Sequence, residues 1–188
     1  QDASLALGKS NQVLDEMSRS GFNVARMKDL LEEARIEMSL KNYEKVLTIS
    51  NDIEDLKQKA FALKDEIKNV TLRIDIVRKS GFNTAESEEL LNLSIVEFTL
   101  ESYESAEELI QKSTDKLNIF IYEEINATIK NINNLRNISL ENNLNITRLE
   151  DTINNAKKLD VTDLKKINVL KQEFSSLNKS VYMLIEAK

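Results

Sequence analysis

The 188-residue chain contains no cysteine, no histidine and no proline, and it has only three glycines. The lack of cysteine excludes a disulfide framework and a thiolate nucleophile, and the lack of histidine removes the commonest general base and transition-metal ligand. Aromatic residues are also scarce, at 5%, whereas charged residues reach 31%. This composition favours helices over strands separated by Gly/Pro turns, so we predict an all-α protein without a cofactor or a metal.

One of the few glycine-containing motifs is repeated. The tetrapeptide Ser-Gly-Phe-Asn occurs at residues 20–23 and again sixty residues later, at 80–83. Matching residues continue downstream of both copies, and they include Tyr43 and Tyr103. A third, degenerate copy has Asn, Leu and Asn at residues 143–145. A fixed period indicates one structural unit used more than once.

Each copy of the tetrapeptide is typical of a tight corner between two helices. Glycine readily takes the left-handed conformation that ends a helix, and asparagine is the next-best residue there. The second asparagine of each copy can cap the following helix, because its side-chain oxygen accepts from a free backbone N–H. The predicted structural corners are therefore Gly21, Phe22, Asn23, Gly81, Phe82, Asn83, Asn143, Leu144 and Asn145.

The apolar positions predict long helices between these corners. From Tyr43 to Val77 they recur three and four residues apart, as in a coiled-coil seam, which predicts one helix over residues 43–79. We also predict helices over 1–20, 24–39, 84–99, 102–140, 146–158 and 162–186. The expected seams are Ala3, Leu7, Leu14 and Met17 in the first helix, Ala106, Ile110, Ser113, Leu117, Ile121, Ile125, Ile132 and Leu135 in the fifth, and Ile167, Leu170, Phe174, Leu177, Val181 and Leu184 in the last.

The long helices outrun their partners, so we expect neighbouring bundles to share them. The predicted architecture is an elongated rod of tandem antiparallel three-helix bundles, with domains at residues 1–60, 61–120 and 121–188. This topology resembles spectrin-like repeats, in which a helix runs from one bundle into the next. The segment LLEEARIEMSLKNYEKVLTIS also resembles a tetratricopeptide helix pair, although the period and the missing proline depart from that pattern. Such pairs occur in helical repeat regions of prokaryotic, including archaeal, cell-surface proteins.

The charge is concentrated in the middle of the chain, since no lysine or arginine lies between Gly81 and Ile110. This stretch is a candidate surface for a basic protein partner or for loosely held divalent cations. The alternative, a solvated helix face, stays open. The candidate partner residues are Glu97, Glu101, Glu104 and Glu108.

Six N-x-S/T sequons are present, which is the pattern of an exported glycoprotein. The alternative is that an asparagine-rich composition produces sequons by chance. The candidate glycosylation sites are Asn69, Asn92, Asn126, Asn137, Asn145 and Asn178.

The remaining signals argue against other functions. The small lysine patch at 157–166 lacks an arginine cluster or an aromatic platform, and the net charge is −6, so we expect no nucleic acid partner. No apolar run approaches the roughly 18 residues of a membrane-spanning helix, so we expect no membrane insertion by this segment. Slender bundles seldom form the pocket that a catalytic carboxylate pair needs, so we expect no enzyme.

We therefore predict a non-enzymatic structural spacer, stalk or interaction module, as a segment of a longer exported prokaryotic surface protein. The alternative is a cytoplasmic helical scaffold that binds a protein partner through its acidic middle bundle. Self-association also stays open.

Overall fold

The computed structural model describes residues 2–187, and over that range it contains helices and no strands. This confirms the all-α prediction. The helices are α1 (Asp2–Arg19), α2 (Ala25–Ser39), α3 (Tyr43–Lys79), α4 (Ala85–Thr99), α5 (Tyr103–Glu141), α6 (Thr147–Ala156) and α7 (Leu164–Glu186).

The two long helices follow their predicted bounds closely. Helix α3 begins at Tyr43 and ends at Lys79, and α5 runs without a break past residue 120, where two predicted bundles meet. The eight seam positions predicted for α5 are all buried. The three-and-four spacing therefore placed one continuous face of α5 in the interior.

The seams of the outer helices differ in detail from the prediction. In α7, Leu184 is 55% exposed, and Ile185 packs against the core instead. The reason is that Leu177, Val181 and Ile185 follow each other at four-residue steps, which keeps them on one face. In α1, Ser10 and Val13 are buried, whereas the predicted Leu7 and Leu14 are only half-buried.

The chain packs as two compact units. Unit 1 comprises the chain up to Thr71 together with Glu88–Ser113, and unit 2 comprises Leu72–Ser87 and the chain from Thr114 onward. Helices α3, α4 and α5 contribute residues to both units. These units do not follow the boundaries predicted at 60/61 and 120/121, and the division into three bundles stays a prediction.

Unit 2 has a core made by α5, α6 and α7. Its buried members are Ile132, Leu135, Leu149, Ile153, Ala156, Leu170, Leu177 and Val181. In unit 1 the largest fully buried side chains include Met17, Met27 and Ile53, from α1, α2 and α3. Each unit therefore buries apolar side chains from at least three helices.

Candidate interaction surface

The corner at residues 20–23, here the first SGFN corner, has the geometry of a glycine helix stop. Gly21 has φ +77°, and the backbone N–H of Phe22 donates to the carbonyl of Met17 at 3.1 Å. Asn23 Oδ1 then accepts from the backbone N–H of Ala25 at 3.2 Å. This pattern ends α1 and begins α2 within a few residues.

The other two corners repeat this geometry. In the second SGFN corner, Gly81 has φ +81° and Asn83 Oδ1 accepts from Ala85 N at 3.1 Å. In the third corner, residues 142–145, Asn143 has φ 52° and Asn145 Oδ1 accepts from Thr147 N at 2.9 Å. Asparagine thus replaces glycine in the left-handed position of the third corner.

A second kind of turn joins α2 to α3 and α4 to α5. We name these the first Leu–Tyr turn, residues 40–43, and the second Leu–Tyr turn, residues 100–103. Lys41 and Glu101 occupy matching left-handed positions, with φ 61° and 60°. These residues are not glycine, so the sequence carries no direct signal for this geometry.

In unit 1 the first SGFN corner lies directly on the second Leu–Tyr turn. Asn23 Nδ2 donates to the carbonyl of Thr99 at 3.0 Å. The backbone N–H of Arg26 donates to both carboxylate oxygens of Glu101, at 3.1 and 3.3 Å. A carboxylate therefore satisfies a free N–H at the start of α2, where the helix dipole also favours negative charge. We call this arrangement the corner contact.

An aromatic cluster completes the corner contact. The centre of the Phe22 ring lies 4.8 Å from the centre of the Phe61 ring and 5.9 Å from that of the Phe98 ring, and both pairs pack edge to face. Phe98 in turn lies 5.8 Å from Tyr103. The Lys64 ammonium is 4.5 Å from the centre of the Phe22 ring, within range of a cation–π interaction. Residues from three separate stretches of chain thus meet at Phe22.

Tyr103 is the most deeply buried aromatic residue of this cluster. Its side chain is only 2% exposed. Burial raises the pKa of Tyr103 to about 12, and the negative charge of Glu101 adds to that effect. The phenol is therefore held in its neutral form.

The second SGFN corner makes a different set of contacts within unit 2. Asn168 Nδ2 donates to Ser80 Oγ at 2.8 Å. The Lys171 ammonium lies 3.8 Å from the centre of the Phe82 ring and pairs with Glu124 at 2.8 Å. A lysine thus covers the corner phenylalanine in both units, although it comes from α3 in unit 1 and from α7 in unit 2.

The four predicted partner residues lie in different settings, with Glu101 buried and with Glu104 and Glu108 exposed in surface ion pairs. Glu101 was expected on that surface, but it is only 6% exposed because its carboxylate binds the start of α2. Glu104 pairs with Lys59 at 2.9 Å, and Glu108 pairs with Lys112 at 2.6 Å. These lysines lower the pKa of both carboxyl groups. Glu97 is half-buried.

The sequons differ in their structural setting. Five of the six asparagines lie inside helices, and Asn145 alone among them lies in a corner. Because successive helical residues turn by about 100°, an asparagine and the hydroxyl residue two positions later face nearly opposite sides. The hydroxyl residues Ser94, Thr128 and Ser139 are buried accordingly. At Asn145 both the asparagine and Thr147 are exposed.

Comparison with family models, with curated proteins and with solved structures finds no match for this chain. Within residues 2–187, no helix is long and apolar enough to cross a membrane. The same residues contain no group of three or more side chains placed to hold a metal ion.

Proposed function

We propose that the protein is a non-enzymatic structural spacer or stalk whose repeats are joined at helix corners. The corner contact is the observation that carries this proposal. In it, Phe22 and Asn23 of one repeat meet Thr99 and Glu101 of the next through hydrogen bonds and aromatic packing. These side chains serve to connect repeats.

Shared helices strengthen the coupling between repeats. Helices α3 and α5 each continue from one repeat into the following one. In repeat proteins, stability comes from such nearest-neighbour interfaces, and the array resists bending when they are strong. The tandem three-helix bundles, the spectrin-like topology and the elongated rod belong to this proposal.

Small-angle X-ray scattering tests the elongated shape. A compact chain of this length would have a radius of gyration of roughly 16 Å. A rod of about 90 to 100 Å, the length of three bundles of about 20 helical residues each, would have a radius of gyration of about 27 Å. A value near the compact limit would overturn the spacer proposal.

We further propose that the protein is exported, which is tested by glycopeptide mapping of protein from its native source. Asn145 is the sequon expected to carry a glycan, because it is exposed in a corner. The helical sequon at Asn137 serves as the internal control, since its partner Ser139 is buried. An unmodified polypeptide at all six sequons would remove the support for export.

The second candidate function is a cytoplasmic scaffold that binds a basic protein. The charge distribution favours it, because unit 1 has 12 basic and 20 acidic side chains, a net charge of −8. Pull-downs with Glu104→Lys and Glu108→Lys would test this, with Glu123→Lys as the control in unit 2. A partner retained equally by all variants would exclude the acidic surface as its binding site.

A further inference from the structure

The two Leu–Tyr turns have the same backbone form, but only the second turn is packed against an SGFN corner. Lys41 has the left-handed φ of Glu101, and Tyr43 begins α3 as Tyr103 begins α5. Yet Tyr43 is 51% exposed, against 2% for Tyr103. The difference arises because the corner contact covers only the second turn. The first turn therefore presents an uncovered tyrosine on a backbone of the same shape, with Lys41 in place of the carboxylate of Glu101.

The third corner has the features of such a corner. Asn145 holds the capping position that Asn23 holds in the first corner. Both Asn143 and Asn145 are exposed. The first corner lies on Thr99 in unit 1, and the second contacts Asn168 in unit 2. Asn23 and Asn83 are also exposed, but the third corner differs from the other two in presenting two exposed asparagines, because Asn143 stands where Gly21 and Gly81 stand.

The net charges of the two units favour contact between unlike units of different copies. The first Leu–Tyr turn belongs to unit 1, with its net charge of −8, and the third corner belongs to unit 2, whose 14 basic and 12 acidic side chains give +2. Contact between unit 1 of one copy and unit 2 of another is thus attractive, whereas contact between two copies of unit 1 is repulsive.

A local charge pair agrees with this arrangement. Arg26 and Glu104 line the same surface groove, where the hydrogen bond from Lys59 and, to a smaller extent, the charge of Arg26 lower the pKa of the Glu104 carboxyl. The matching residues at the two proposed surfaces are Arg148, which follows the third corner, and Glu44, which follows the first Leu–Tyr turn. The same attraction is therefore available between copies.

We propose that the protein self-associates by seating the third corner of one copy on the first Leu–Tyr turn of a second copy. Asn145 Nδ2 would donate to the carbonyl of Ser39, as Asn23 donates to Thr99. The two surfaces differ, so the contact is heterologous and leads to rings or open chains of copies. This self-association goes beyond the spacer role. It requires an unmodified Asn145, because an N-linked glycan is attached to Nδ2 and would block the contact, so it is tested on protein that carries no glycan there.

Two variants separate the two surfaces. Tyr43→Glu places a charge on the first Leu–Tyr turn. Asn145→Asp keeps the oxygen that caps α6 but removes the Nδ2 donor. Tyr122→Glu is the matched control, because Tyr122 is a 59% exposed tyrosine elsewhere on α5. Circular dichroism of each variant checks that the helices are retained.

Sedimentation equilibrium of the full chain measures the outcome, over about 10 μM to about 1 mM. Wild type and Tyr122→Glu should rise above the 21.5 kDa of one chain. Tyr43→Glu and Asn145→Asp should each associate at least about tenfold more weakly. Their mixture should form dimers and nothing larger, because one variant keeps the corner and the other keeps the turn.

Three results would overturn the proposal: a wild type that stays monomeric throughout, an Asn145→Asp protein that associates as wild type does, or a mixture that does not associate. The second result would indicate pairing of like surfaces. If the protein were monomeric but elongated by small-angle scattering, self-association would be refuted and the proposed spacer function would stand.

Discussion

Comparing substitutions at Lys41 and Glu101 measures how much free energy the corner contact contributes to stability. The two residues lie at matching left-handed positions, with φ 61° and 60°, but only Glu101 binds the start of α2. Glycine at such a position removes a steric cost of about 1–2 kcal/mol and adds about 0.5–1 kcal/mol of unfolded-state entropy. Lys41→Gly should therefore stabilise the protein by about 0.5–1 kcal/mol.

Glu101→Gly has the same backbone gain but loses the carboxylate. A hydrogen bond to a charged group contributes about 1.5–3 kcal/mol, and its loss leaves the N–H of Arg26 without that acceptor. Glu101→Gly should therefore destabilise the protein by about 1 kcal/mol. The two glycine variants should differ by about 2 kcal/mol, in opposite directions from wild type.

Urea unfolding followed by circular dichroism of the helices measures both free energies. The dependence of the unfolding free energy on urea concentration should have the same slope in wild type and in both variants. A shift in the urea midpoint then reports a change in stability. If Glu101→Gly proved as stabilising as Lys41→Gly, the carboxylate would contribute nothing and the reasoning about the corner contact would fail.

Two further predictions concern the aromatic cluster. Burial raises the pKa of Tyr103 in the folded protein to about 12 from its ordinary value of 10.0. The protonated phenol therefore contributes to the free energy of unfolding fully below pH 10, and this contribution is lost as the pH rises through 12. The loss should be on the order of 2 kcal/mol, and the difference in phenolate absorbance between wild type and Tyr103→Phe should show a midpoint near pH 12. Phe22→Ala should cost about 3 kcal/mol or more, because Phe22 is buried against two rings. Tyr122→Ala, at an exposed site, should stay within about 0.5 kcal/mol of wild type, and equal losses in the two variants would contradict the role of the cluster.

The helix bounds were predictable because their signals are local. Gly21 and Gly81 mark helix ends, and the apolar spacing of α3 and α5 continues without a break between such marks. Periodicity also identifies which face is buried, so the seam of α5 was predicted correctly. The error at Leu184 lies at a helix end, where either of two adjacent residues could continue the seam.

The corner contact could not be predicted, because it joins residues far apart in the chain. Glu101 lies 75 residues from Arg26, and its charge alone suggested a solvent-facing residue. Tyr43 and Tyr103 have similar neighbours in sequence but opposite burial, which depends on whether a corner covers them. The six sequons are all candidates by their pattern, although the predicted helices already separate them, since an i, i+2 pair in a helix faces opposite sides.

The residue at position 41 should set the strength of self-association. Lys41 offers no acceptor to the helix that the proposed contact brings to the first Leu–Tyr turn, whereas Glu101 supplies one at the second turn. Lys41→Glu would supply a carboxylate that can accept from the start of the docked helix, without changing the left-handed backbone. It should therefore tighten association by about 2 kcal/mol, or roughly 30-fold. The free energy contributed by the carboxylate also separates the stabilities of Lys41→Gly and Glu101→Gly, so the association and unfolding experiments should give similar values. A Lys41→Glu protein that associates no more tightly than wild type, alongside a large effect of Glu101→Gly, would mean that the third corner does not occupy the turn as the first SGFN corner does.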